Sequence, residues 1–245
     1  MLVKGKIAYL TIDDSPSSDF RRKVNYLSSK KIPAIFFCIG KLLEKRKRVV
    51  IHAIKKGFII GNHSYSHIPF SKLTLVKAKK EIKKTDEIIE WLYKEAKVKR
   101  PIKVFRFPEL DKGAGNKSYP NVNWNNPKVK ALQTYLKKLG YKQPKFKNIN
   151  YRWYKKAGLD KCIDVDCTYD SYDWTVSDKS YEHGIKSLKD LLNRMDENVP
   201  EGGRGLNFKK SADIIMMHDH PKLKEMFIPM IKKMLRKNIK FQSFV

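Results

Sequence analysis

Short apolar runs alternate with amphipathic stretches along the whole chain. Residues 6–12, 34–39, 58–62, 101–107, 163–168, 213–217 and 239–244 are compact and rich in β-branched or aromatic side chains, which predicts strands. Between them, residues 19–29, 41–56, 74–93, 126–140, 187–197 and 223–237 repeat apolar positions at helical spacing. The clearest stripe is Leu75, Ala78, Ile82, Ile89 and Leu92. Gly57 and Gly140 stand where a helix C-terminus needs a left-handed residue, and Pro127 suits a first helical turn. About seven strands separated by helices predict an α/β fold with parallel strands, as an open doubly wound sheet or a closed barrel. Residues 109–160 hold one helix and otherwise read as loops rich in Lys, Asn, Gly and Pro, an insertion within one domain spanning 1–245.

Composition narrows the class. The 245 residues are 41% hydrophobic and 11% aromatic, enough for a buried core, which excludes a wholly disordered chain. No apolar run is long enough to predict a membrane-spanning helix. The first ten residues run straight into a strand pattern and leave no room for a signal peptide. The expectation is a cytoplasmic protein, or an envelope or secreted one whose export signal lies outside this sequence. Cys38, Cys162 and Cys167 are too few and too irregularly spaced for a disulfide framework.

The formal net charge of +28 comes from 53 basic against 25 acidic residues. Lysine dominates, although arginine is the better bidentate phosphate ligand. The lysines are scattered along helices, as at Lys77, Lys79, Lys80, Lys83 and Lys84, which argues against a dedicated nucleic-acid surface. An anionic polymer is compatible with the charge, with Lys112, Lys117 and Lys179 expected around the site's mouth.

Chemistry-bearing residues gather at the ends of the predicted strands. Asp13 and Asp14 follow the first, His63 and His67 the third, and Arg106 lies at the end of the fourth. Asp170 and Asp173 follow the fifth, while His218 and Asp219 close the sixth. In a parallel barrel all strand C-termini open on one face, so these groups would converge into a site. His63 and His67 could share a cation if their segment makes one helical turn, and a neighbouring carboxylate would complete an N2O set. The same set serves non-haem iron oxygenases, but the chain has no H-x-D and no run of hairpins, which favours hydrolytic chemistry. His52, His183, Trp91, Trp124 and Trp153 read as bystanders or packing residues.

Thr11-Ile-Asp-Asp-Ser-Pro16, the His63–His67 pair, Phe105-Arg-Phe-Pro108, Asp170-Ser-Tyr-Asp-Trp174 and Ile214-Ile-Met-Met-His-Asp219 resemble, in order, the five motifs of the polysaccharide deacetylases, carbohydrate esterase family four. The resemblance implies a distorted parallel (β/α) barrel of about seven units. It implies Asp13 as general base and Asp14, His63 and His67 as ligands of one divalent ion, Zn2+ by default, with Co2+, Ni2+ or Fe2+ as alternatives. A water activated by that ion would be the nucleophile. Arg106 would keep Asp13 ionised, and Asp173 would orient His218, the general acid. Trp174, Met216, Glu109 and Pro108 would bind substrate, with the Glu109 N–H as an oxyanion donor. Ser15, Glu109 and Met216 stand where the family usually has glycine, tyrosine and leucine.

The expected activity is therefore removal of N-acetyl groups from an N-acetylated glycan, peptidoglycan or chitin-like. An O-acetyl esterase or small-molecule C–N hydrolase of the same fold is the alternative, and an inactive basic glycan-binding module a third. The intact set of Asp13, Asp14, His63, His67, Arg106 and His218 argues against the last.

Overall fold

The computed structural model describes residues 5–199 and 205–244. Strand β1 (Ile7–Ser15) leads through helix α1 (Phe20–Ser29) to β2 (Ala34–Cys38). Helices α2 (Gly40–Lys45) and α3 (Lys47–Lys55) precede β3 (Ile59–Asn62) and the long α4 (Leu75–Ala96). Helices α5 (Pro127–Lys138) and α6 (Arg152–Lys156) follow, then β4 (Tyr169–Asp170), α7 (Asp173–Asp178) and α8 (Leu188–Arg194). The chain closes with β5 (Asp213–His218), α9 (Lys224–Arg236) and β6 (Lys240–Phe241).

Every strand pairing is parallel, in the order β3-β2-β1-β5-β4, with β6 beside the start of β1. Helical crossovers account for this, since parallel neighbours cannot be joined by a tight hairpin. Side chains alternate across β1. Ala8, Leu10 and Ile12 pack with Val24 and Leu27 of α1 and Met230 of α9, while Tyr9 packs on the other face with Phe37, Ile59 and Ile214. Thr11 and Asp13 continue that second face towards the C-terminal end of β1. Gly61 of β3 also belongs there: a Cβ on it would lie 2.7 Å from the Phe37 ring and 3.0 Å from Val104.

The regular sheet has a gap between β3 and β4. Residues 101–107 and 163–168, both predicted as strands, lie in this gap and form no regular strand: the first makes two isolated bridges, at Lys103 and Phe105, and the second bends at 163–164 and 168. Asn62 N donates to Val104 O (2.9 Å), Arg106 N to Asn62 O (3.1 Å), and Val165 N to Phe105 O (2.7 Å). Thr168 N then reaches Ile214 O of β5 at 2.9 Å. These bonds carry the ring across the gap, so the fold is a distorted parallel α/β barrel without a continuous ladder. The ladder fails at 163–168 for a visible reason. The Val165 and Asp166 carbonyls accept hydrogen bonds from the Arg106 side chain instead of from a neighbouring strand.

Other departures are local. The helix expected over 41–56 is divided at Arg46, whose φ of −130° is not helical. Helices α6 and α7, short and polar, were not expected from the periodicity. Gly57 and Gly140 do terminate α3 and α5, at φ of 86° and 82°.

Candidate active site

In a regular strand Asp13 and Asp14 would point to opposite faces. The pairing of β1 with β2 shifts register between Ile12 and Ser15, and Asp14 takes a left-handed φ of 61°. This irregularity turns both carboxylates into one cleft of about 780 Å³ at the C-terminal ends of the strands. Asp13 is buried, and Arg106, wholly inaccessible, reaches its Oδ1 through Nη1 at 2.8 Å. Nη1 also donates to Thr11 Oγ1 (2.8 Å), Nε to Val165 O (3.0 Å) and Nη2 to Asp166 O (3.1 Å). The guanidinium lies over the Phe37 ring, 4.5 Å from its centroid. With so many fixed acceptors the arginine stays charged, and it opposes a single buried carboxylate.

Asp14, His63 and His67 offer three ligand atoms within 4.8 Å of one another. The expected helical turn is absent. Ser64 and His67 have φ of 61° and 63°, and the segment is folded by side chains. Asn62 Oδ1 accepts from Ser64 N, Ser64 Oγ from His67 N, and Glu81 Oε2 from both Tyr65 N and Ser66 N. The turn brings the imidazole centroids to 4.9 Å. His63 Nδ1 donates to Arg106 O at 2.9 Å, which leaves the Nε2 lone pair facing Asp14 Oδ1 at 3.7 Å. Burial pushes the His63 pKa down to about 4, keeping the ring neutral. Burial would raise Asp14, but His67, together with His218 and His63, outweighs it and holds the carboxylate below its ordinary range. The His67 Nε2 lies 3.1 Å from Asp14 Oδ1, yet that buried oxygen has no hydrogen-bond partner of acceptable geometry. Two imidazole nitrogens and an orphaned carboxylate oxygen are the donor set of a borderline-soft divalent cation, so the residues fit the expected metal.

His218 closes the opposite side. It is the β5 neighbour of Asp13 in register. Its Nδ1 donates to Asp173 Oδ1 (2.7 Å), and its backbone N–H to the other carboxylate oxygen (2.9 Å). Burial alone would favour neutral imidazole, but the Asp173 charge and hydrogen bond dominate and raise the pKa to about 10. Asp170, beside it, accepts from Tyr172 N and Trp174 Nε1, and burial pushes its pKa up to about 6.

The cleft lining includes the expected Glu109, Trp174 and Met216, with Glu109 at a left-handed φ of 53°. Pro108 is buried and is not among the residues that line the cleft. Lys112 is not at the mouth either. It is buried and ion-paired to Asp164 and Asp166. Of the three lysines expected around the mouth, Lys117 alone lines the cleft. Trp153 and His183, expected as packing or bystander residues, and Tyr119 and Tyr172, given no role of their own, also line it, with His183 packed on Tyr172 at 4.4 Å between centroids. Tyr119 lies in a turn, Trp153 in the short α6, Tyr172 just before α7 and His183 in a single 3-10 turn, so no long periodic pattern marks them.

The family model described as polysaccharide deacetylase matches residues 3–144, more than half of the chain. The chain belongs to the polysaccharide deacetylase family. A peptidoglycan-N-acetylglucosamine deacetylase of Bacillus cereus is 36% identical over 90 residues, covering 36% of this chain and 32% of the relative. The peptidoglycan-N-acetylmuramic acid deacetylase PdaC of Bacillus subtilis is 34% identical over 86 residues, 35% of this chain and 18% of the relative. The matched chain thus spans a third or less of these two polysaccharide deacetylases. Among solved structures, a family 4 carbohydrate esterase from Streptomyces lividans superposes with a TM-score of 0.62 at 18% identity, covering 98% of this chain and 93% of that one. A family 4 pseudoenzyme from Bacillus anthracis reaches 0.61 at 16% identity, covering 97% and 63%. These likenesses establish a fold that active and inactive proteins share, so activity must be argued from the site residues.

Proposed function

We propose that this polysaccharide deacetylase family member hydrolyses N-acetyl groups on an N-acetylated glycan, with one divalent ion, zinc by preference, held by Asp14, His63 and His67. One observation carries the reading: a base carboxylate and an acid imidazole, neighbours in register on β1 and β5, share a cleft with the three-ligand set. A bound divalent ion would polarise the acyl oxygen and lower the pKa of a coordinated water to about 7. Asp13, ion-paired with Arg106, takes a proton from the water that attacks the acyl carbon. The Glu109 N–H is assigned to the oxygen that gains charge, from its place on the cleft wall. His218, protonated because Asp173 faces Nδ1, gives its proton to the sugar nitrogen as the C–N bond breaks. Acetate and a free amine leave. Trp174 and Met216 line the cleft and wall the space for the small acyl group. The peptidoglycan deacetylases among its relatives support a cell-wall aminoglycan as substrate.

Titration with Zn2+, followed by calorimetry and elemental analysis, tests the ligand set. Wild-type protein is expected to bind one equivalent, and His67→Ala to bind at least about tenfold more weakly. Undiminished affinity in His67→Ala would remove the metal site from the proposal.

A further inference from the structure

Lys112 is a buried cation that the scheme above leaves without a task. Its side chain is 2% exposed, and its ammonium lies between Asp164 and Asp166, 2.9 Å from Asp166 Oδ2. Those carboxylates flank Val165. The carbonyls of Val165 and Asp166 are the acceptors of Arg106 Nε–H and Nη2–H, and Arg106 Nη1 holds Asp13. One ammonium therefore grips, on both sides, the short backbone segment that cradles the arginine. The remaining carboxylate oxygens are also occupied. Asp164 Oδ1 accepts from Gln133 of α5 (2.6 Å), and Asp166 Oδ1 from Tyr119 Oη and Cys167 N, each at 2.9 Å.

A buried ion cluster of this kind is a weak argument for stability. Burying one ammonium with two carboxylates costs desolvation, and apolar side chains of similar volume commonly fold as well or better. What apolar residues lack is the ability to fix two peptide carbonyls at a set distance from the base. We propose that Lys112 is a positioning residue for Arg106 and, through it, for Asp13. The proposal rests on the reading of Asp13 as the base.

The test compares Lys112→Met with Lys112→Met/Asp164→Asn/Asp166→Asn in the full chain. The single variant leaves two buried carboxylates without their cation and is expected to melt well below wild type. The triple variant removes the charge imbalance and is expected to recover much of the melting temperature. Its kcat on an N-acetylglucosamine tetramer should nevertheless stay roughly 10- to 100-fold below wild type, the size of effect a displacement of about 1 Å produces, with KM within about twofold. Exchange of the Arg106 Nε–H with solvent, followed by NMR and assigned with Arg106→Lys, should accelerate at least about tenfold in the triple variant. Recovery of kcat together with melting temperature, or unchanged Arg106 exchange, would reduce Lys112 to a fold residue and overturn the proposal. The exchange measurement needs no turnover. A wild-type protein that releases no acetate would overturn the deacetylase reading alone, leaving the exchange rate to decide this one.

Discussion

At the scale of single residues, adjacent Asp13 and Asp14 are assigned different jobs in the proposed reaction because their surroundings differ. Asp13 is fixed against the Arg106 guanidinium, while Asp14 faces two imidazoles. Asp13→Asn should therefore lower kcat by roughly two to four decades while zinc content stays at wild-type level, measured by acetate release and elemental analysis. Near-normal turnover would remove Asp13 as the base. In the proposed reaction His218 must be protonated to expel the amine, so kcat/KM should fall as pH rises through its pKa. Asp173 lifts that pKa to about 10, above the ordinary imidazole value of about 6.5. In Asp173→Asn the largest raising charge is gone, and the alkaline limb of the pH profile should move to lower pH. A limb that stays in place would show that another group titrates there.

At the scale of elements, the sequence made the longer helices and the first three strands legible because their apolar periods are unbroken, whereas the short α6 and α7 carry no such period. It misread residues 101–107 and 163–168, whose alternation is real but whose backbone groups serve the Arg106 cradle and isolated bonds instead of a ladder. The same limit applied at the site. The strand-end positions of Asp13, Asp14, His63, Arg106 and His218 could be read from pattern and motif. The register shift that turns Asp14 into the cleft, and the Glu81-held turn that pairs the histidines, depend on contacts distant in sequence. Lys112 looked like a surface lysine because nothing local announces Asp164 and Asp166 as its partners. Packing between elements gives its own prediction. Gly61 of β3 has no room for a methyl group beside Phe37 and Val104, and Phe37 carries Arg106 on its ring. Gly61→Ala should cost about 1–3 kcal/mol, read as a lowered melting temperature, and should slow turnover as well. A neutral substitution would mean that the interior yields at this point.

At the scale of the whole molecule, the +28 charge and the cleft point in different directions. The cleft is lined by Asp13, Asp14, Glu109, Asp170, Asp178 and Glu182, with Lys117 its lone lysine among the described residues. The excess lysine therefore lies mainly outside the reacting region, where it can attract an anionic polymer but cannot act on the bond. Turnover of a neutral N-acetylated oligosaccharide should hardly change between low and physiological salt, whereas turnover of an anionic glycan should fall as charges beyond about 8–10 Å are screened. Equal dependence on both substrates would show that the surface charge takes no part in substrate capture. No helix among the described residues is long and apolar enough to cross a membrane. The central claim, that this barrel removes N-acetyl groups from a glycan with the help of a bound divalent ion, is met most directly by mass spectrometry of an N-acetylglucosamine tetramer after incubation with zinc-loaded, metal-stripped and reloaded protein. The proposed function predicts loss of acetyl groups and appearance of free amines with the loaded and reloaded protein only. An intact tetramer in all three samples, or equal deacetylation in the stripped one, would contradict it.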